Sequence, residues 1–176
     1  MARVAIFVTA RAMGVVCTSV LVVMRHGNSV GTIQGKATTM DHLPLDPEDW
    51  ALVEAAREVI RRNFWPERHA VGAALRCPSG RIYTGVNVSG AGVCAEMVAI
   101  GSAISAGERE FACVAAVEGW TEARALVPPC GRCRQVFADY APEICVLLLL
   151  EGEPVKVRLA DLLPLPYLNF DDRYTR

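Results

Sequence analysis

From Leu43 onward, apolar and polar positions alternate with two different periods, and the switches between them divide the chain into eight elements. Leu52, Ala55, Ala56, Val59 and Ile60 fall on one face of a helix. Asp46-Pro47-Glu48-Asp49 stands where that helix must start, with an Asp N-cap, Pro at the first helical position and acids in the first turn. Phe64-Trp65-Pro66 ends it. Ala70–Leu75 and Arg81–Val88 read as two strands, joined by a Pro78-Ser79-Gly80 turn. Helical spacing returns at Ala95, Val98, Ala99, Ser102 and Ala103 and stops near Ala106-Gly107. Phe111–Val117 reads as an apolar strand, and Val136, Phe137 and Tyr140 mark another helix. Ile144–Leu150 is continuously apolar, as a strand buried on both faces is. Val155–Leu159 reads as an edge strand and Leu162–Leu168 as a short terminal turn.

Strands separated by helices require crossovers, and crossovers are right-handed. The order therefore predicts an α/β fold, a three-layer α/β/α sandwich on a five-stranded mixed sheet. The second and third helices lie side by side in this scheme, with their N-termini at one end of the sheet.

The first 39 residues do not share the pattern. Val4–Met24 is largely apolar, but Arg11 interrupts it, together with Thr9, Thr18 and Ser19. A secretory signal places its charge before the apolar run, and a spanning helix wants about 20 mostly apolar residues. Residues 1–39 therefore read as a poorly ordered or non-native extension, with Gly27–Thr39 a flexible polar linker. Met40 would serve as a start, and 40–176 reads as the folded domain.

Composition narrows the function. The chain is 52% hydrophobic, enough for one real core, and its formal net charge is −1. No block of Lys and Arg stands out, so neither a polynucleotide nor an anionic membrane is an expected partner. Seven cysteines, an odd number, point to a reducing cytoplasm and away from a disulfide framework.

Three of those cysteines carry the chemistry. Cys94-Ala95-Glu96 precedes the second helix, and Pro129-Cys130-Gly131-Arg132-Cys133 precedes the third. A lone C-x-x-C is often a redox pair or half of a structural zinc site. Here the thiols number three, and none of the three His, at 26, 42 and 69, adjoins either segment. Three protein ligands with an open fourth position is the arrangement of a catalytic zinc. Glu96 stands two residues past Cys94, close enough to face a metal-bound water without binding the metal. Zinc lowers the pKa of such a water from about 15.7 to about 7, and a neighbouring carboxylate can carry its proton to a leaving amine. Helix N-termini favour thiolate, and Arg132 and Arg134 flank the thiols as charge-balancing residues. Cys77, Cys113 and Cys145, in strand-like runs, read as inert buried thiols.

Cys-x-Glu followed by Pro-Cys-x-x-Cys is the signature of the zinc nucleobase deaminases. From Val71 onward the chain resembles the cytidine deaminase family. The likeness rests on Val71–Leu75, Thr84-Gly85-Val86-Asn87-Val88, Cys94-Ala95-Glu96 and Pro129–Gln135. Gly80–Val88, Pro129–Val136 and Leu162-Leu163-Pro164 with Tyr167 are most similar to the blasticidin S branch of that family. The resemblance implies a homotetramer with one Zn²⁺ per chain that hydrolyses the exocyclic amine of a cytosine ring. Cys94, Cys130 and Cys133 would be ligands and Glu96 the proton shuttle. Asn87 and the Ala95 backbone would contact substrate. His69 stands where nucleoside-specific members carry an aromatic near the base, and otherwise reads as the start of a strand. Tyr167 either closes the site or packs the tail.

The chain also departs from the nucleoside-specific pattern. Ser89 stands where those members place a ribose-binding Glu, the Asn87–Cys94 loop is shorter, and Met97 replaces an Arg. The substrate therefore stays open between cytidine or deoxycytidine and a blasticidin S-type antibiotic. A deaminase of another aminated heterocycle and a non-catalytic zinc protein are the alternatives, and the intact Glu96 disfavours the second.

Overall fold

The computed structural model describes residues 21–26, 29–34 and 40–167. The chain divides into two compact units, the second beginning at Asp41. In the first, β1 (Leu21–His26) pairs antiparallel with β2 (Ser29–Gln34), from Leu21 opposite Gln34 to His26 opposite Ser29. Ser29–Gln34, expected as linker, is thus a strand. Its Val30, Thr32 and Ile33 favour extended backbone, a preference its polar composition concealed. Most of the apolar run from Val4 lies outside the described residues.

The second unit holds β3 (Leu43–Pro44), α1 (Pro47–Asn63), β4 (Val71–Arg76), β5 (Ile82–Val86), α2 (Ala95–Ser105), β6 (Cys113–Glu118), α3 (Gly131–Tyr140), β7 (Cys145–Leu150), β8 (Glu153–Arg158) and α4 (Leu159–Leu162). These strands form one mixed sheet in the order β3-β8-β7-β6-β4-β5. Only β6 and β7 run parallel, joined through α3, and every other pair is antiparallel.

The sheet has six strands where five were expected. The sixth, Leu43–Pro44, is too short to show a period, and it covers Lys156 and Val155 of β8. β8 is therefore an inner strand. Pro44 has no N–H to offer a further neighbour, which suits an edge.

Asp46 caps α1 as its sequence requires. Its carboxylate accepts from Asp49 N at 2.9 Å, and Asp49 returns the bond to Asp46 N. Asp49 does more than complement the helix dipole: fully buried, it pairs with Arg76 at 3.0 Å and with Lys156 at 2.6 Å.

One face of the sheet lies under α1. Leu52, Val53, Ala56 and Ile60 of that helix pack with Ala74, Cys113, Ala115, Val117 and Leu147. Alternation along the strands turns Ala73, Leu75 and Val114 to the opposite face, where α2 lies with α3 beside it. Two glycines let the helices approach. A β-carbon at Gly72 would stand 2.7 Å from the Ala56 carbonyl of α1. One at Gly85 would stand 2.7 Å from both the Ala95 carbonyl and the Ala99 nitrogen of α2. No helix among the described residues is long and apolar enough to cross a membrane.

Candidate metal and active site

Cys94 is the N-cap of α2 and Cys130 the N-cap of α3, both in extended backbone, and Cys133 lies one turn into α3. The two helix starts bring the three sulfurs within 4.8 Å of one another. Cys94 Sγ is 3.5 Å from Cys130 Sγ, which is 3.6 Å from Cys133 Sγ. Thiolates bound at about 2.3 Å around a tetrahedral zinc lie about 3.8 Å apart, so this triangle fits that ion with little movement.

The electrostatics fit as well. Burial opposes ionisation of Cys130, yet the Cys133 backbone N–H, the thiols of Cys94 and Cys133 and the Arg132 N–H together hold it below its ordinary value. Burial, then the Glu96 carboxylate, push Cys133 up. A cation between the sulfurs reverses that cost, because coordination deprotonates a thiol. Arg132 donates to the Gly92 carbonyl and to Cys94 Sγ, the latter at 3.6 Å, and so brings positive charge to the ligand set. Arg134 does not. Its guanidinium donates to the carbonyls of Pro129 and Leu162, both at 2.9 Å, and thereby fixes the loop that precedes Cys130.

Glu96 is the second residue of α2 and only 6% exposed. Burial pushes its carboxyl up, against the opposing pull of its own backbone N–H and the Cys133 thiol. It opens onto a cavity of ≈ 310 Å³ that it shares with Cys94, Ala95 and Cys130. Val71, Asn87, Ser89, Val127 and Pro128 also line this space. Val127 and Pro128 were missed in the sequence because they carry no chemistry of their own. Their position directly before the Pro129–Cys133 segment was the available signal.

Asn87 lines the cavity, but its amide is also a structural clasp. Its Oδ1 accepts from Ala70 N and Val71 N at 2.7 and 2.8 Å. His69 does not line the cavity. Its Nδ1 lies 2.7 Å from the Asn87 carbonyl, and its ring stands edge-on to Trp65. Tyr167 does not line it either. Its side chain is exposed, while its backbone N–H and carbonyl bond to the Gln135 amide at 2.8 and 2.7 Å. The other thiols among the described residues lie elsewhere. Cys77 and Cys113 are buried and Cys145 half-buried, and burial raises all three, Cys113 to about 12.

The profile of the cytidine and deoxycytidylate deaminase zinc-binding region matches residues 47–149. A blasticidin-S deaminase from Bacillus cereus is 37% identical over 132 residues, which cover 70% of this chain and 94% of that protein. A cytidine deaminase from Halalkalibacterium halodurans is 36% identical over 120 residues, 64% of this chain and 89% of that protein. Among solved structures, the cytidine deaminase from Burkholderia pseudomallei has a TM-score of 0.56 at 35% identity, covering 67% of this chain and 98% of that one. The cytidine deaminase from Mycobacterium tuberculosis has a TM-score of 0.56 at 33% identity, covering 69% and 98%. Cys94, Cys130 and Cys133 are thus the zinc site of this fold, one per chain, and the chain belongs to the cytidine deaminase family.

Proposed function

We propose that the chain is a zinc-dependent hydrolytic deaminase of a cytosine nucleoside or a cytosine nucleoside antibiotic. The observation that carries this reading is the buried Glu96 carboxyl, its pKa raised, opening onto the same cavity as Cys94 and Cys130. A zinc ion held by the three thiolates supplies a Lewis acid that makes water a nucleophile near neutral pH. Glu96 takes one proton from the attacking water, delivers it to the ring nitrogen, and passes the second to the departing amine. Water and the amino compound become the oxo compound and ammonia, and Glu96 ends in its starting state. Its burial raises the carboxyl above its ordinary value and keeps it out of competition with bulk water.

The Ala95 backbone and Asn87 position the ring and sugar on the other walls. Arg132 offsets part of the negative charge that three thiolates bring to a divalent ion. A homotetramer in the cytoplasm is part of the same proposal.

Substrate range follows from position 89. A hydrogen bond to a carboxylate there would favour a ribose hydroxyl by roughly ten- to a hundredfold, and Ser89 cannot supply it. Cytidine and deoxycytidine are therefore handled comparably, and a bulky sugar replacement such as that of blasticidin S is tolerated. The test is the loss of cytosine absorbance with cytidine, deoxycytidine, cytosine and blasticidin S. Turnover of none of them overturns the proposal. A preference for cytidine above about a hundredfold over the other two nucleosides means that another residue grips the ribose.

A further inference from the structure

Holding a metal ion does not exhaust the chemistry of Cys130-Gly131-Arg132-Cys133. Two thiols separated by two residues also make a dithiol that can close to a disulfide. Their surroundings differ. Cys130, the N-cap of α3, is exposed and lines the cavity, whereas Cys133, one turn further on, is fully buried. Their sulfurs lie 3.6 Å apart. Of the other thiols among the described residues, Cys77 and Cys113 are buried, and Cys94 and Cys145 are half-buried. An oxidant arriving from solvent therefore meets Cys130 before any of them.

Two sulfurs stand within reach of Cys130, since Cys94 Sγ is 3.5 Å away. A disulfide needs about 2.05 Å, so either sulfur must close by about 1.5 Å. The start of α2 resists that movement. The Ala95 carbonyl and the Ala99 nitrogen lie against Gly85, and Arg132 donates to Cys94 Sγ at 3.6 Å. Between Cys130 and Cys133 the chain is freer. Cys130 has extended backbone outside the helix, and a β-carbon on Gly131 would meet nothing within 4 Å. Arg134 holds the Pro129 carbonyl, which leaves the Cys130 side chain itself free to turn towards Cys133.

We propose that Cys130 and Cys133 are an oxidation site, at which hydrogen peroxide joins two zinc ligands in a disulfide and reversibly empties the metal site. The Cys130 sulfur attacks the peroxide: an S–O bond forms, the O–O bond breaks and hydroxide leaves. The Cys133 sulfur then attacks the sulfenic acid: the S–S bond forms, the S–O bond breaks and a second hydroxide leaves. Each hydroxide takes a proton and becomes water. The proton comes from the thiol, or from solvent where metal binding has already removed it. Each sulfur gives up one electron, and the peroxide gains both. A disulfide no longer offers the thiolates that zinc requires, so Cys94 alone remains and cannot hold the ion. A dithiol reductant reverses the change by taking the disulfide onto itself.

The test adds hydrogen peroxide stepwise to the zinc-loaded full chain and follows zinc release with a chromogenic chelator, alongside the intact mass. One zinc and two hydrogens should be lost together, and dithiothreitol with added zinc should restore both. Arg132 lies between the two thiols, so trypsin separates them and a disulfide appears as a linked pair of peptides. That pair should exceed any modification of Cys145 by about tenfold or more, because oxidation follows exposure. Cys133→Ser should leave Cys130 as a sulfenic acid that dimedone traps, and Cys145→Ala should change nothing. The metal-free chain should form the same link, so the outcome depends neither on zinc content nor on the deaminase reading. A link between Cys94 and Cys130 overturns the assigned pair. Oxidation that starts at Cys77, Cys113 or Cys145, or zinc that stays bound while the disulfide forms, overturns the proposal as a whole.

Discussion

A carboxyl group two residues into a helix usually complements the helix dipole from the surface, but Glu96 is buried beside three thiols. Its place is set by Cys94 as N-cap, which turns the first turn of α2 into the cavity wall. Glu96→Gln keeps the shape and removes the carboxyl proposed to carry the proton. Zinc content and melting temperature should match those of the parent chain, while turnover falls by about 10⁴-fold or more, the upper end for a general acid–base group because Glu96 acts twice. A variant that keeps a tenth of the activity removes Glu96 from the mechanism. Spacing along each helix start made Cys94 with Glu96 and Cys130 with Cys133 legible in the sequence, and the order of elements brought the two starts together. His69, Tyr167 and Arg134 were not legible, because their partners lie far along the chain. Asn87, Gln135 and the Leu162 carbonyl claim them, and no local pattern announces such bonds. Asp49 shows the same limit. Its place in the first turn of α1 was plain, but its pairing with Arg76 and Lys156 follows from tertiary packing.

Elements were legible where a period was long enough to see. α1, α2, α3 and the central strands follow the apolar pattern to within a few residues. The two-residue β3 has no period, and without it β8 had no visible partner on its outer side. The close approach of α2 to the sheet was also hidden, since a glycine in a strand reads equally well as a bulge or a weak spot. Gly85 makes that approach possible, and it can be tested. Gly85→Ala places a methyl against the backbone of Ala95 and Ala99, atoms that cannot rotate aside. Overpacking typically costs about 1–3 kcal/mol, and here relief requires α2 to move, carrying Cys94 and Glu96 with it. A displacement of about 1 Å at a reacting group can cost about 10²-fold in rate. Gly85→Ala should therefore lose activity out of proportion to its loss of melting temperature. Gly101→Ala is the control on the same helix. A β-carbon there meets nothing, and alanine stabilises a helix interior by about 0.5–1 kcal/mol over glycine. If Gly85→Ala retains both stability and rate, the tight seating of α2 on β5 does not position the site.

At the scale of the whole molecule, the site exists because two crossings of one sheet start at the same end. α2 leads from β5 to β6 and α3 from β6 to β7, and β5 and β6 both run antiparallel to the β4 between them. Both helices therefore begin at one end of the sheet, where Cys94 and Cys130 meet, and that much followed from the order of elements. What the order leaves open is the role of the residues before Met40. The partners that define the second unit lie within it: Leu43 and Pro44 close the sheet on β8, Asp46 caps α1 with Asp49, and Lys156 ties that cap back to β8. The cavity likewise draws its lining from Val71 to Cys130. A chain that starts at Met40 should consequently fold, bind one zinc, and match the full chain in kcat/KM and in melting temperature. The measurements are zinc per chain by atomic emission, thermal unfolding, the oligomeric state by light scattering, and turnover of the best substrate found. An insoluble product, or a folded one that loses both assembly and activity, would make residues 1–39 part of the working enzyme and would move its domain boundary towards the N-terminus.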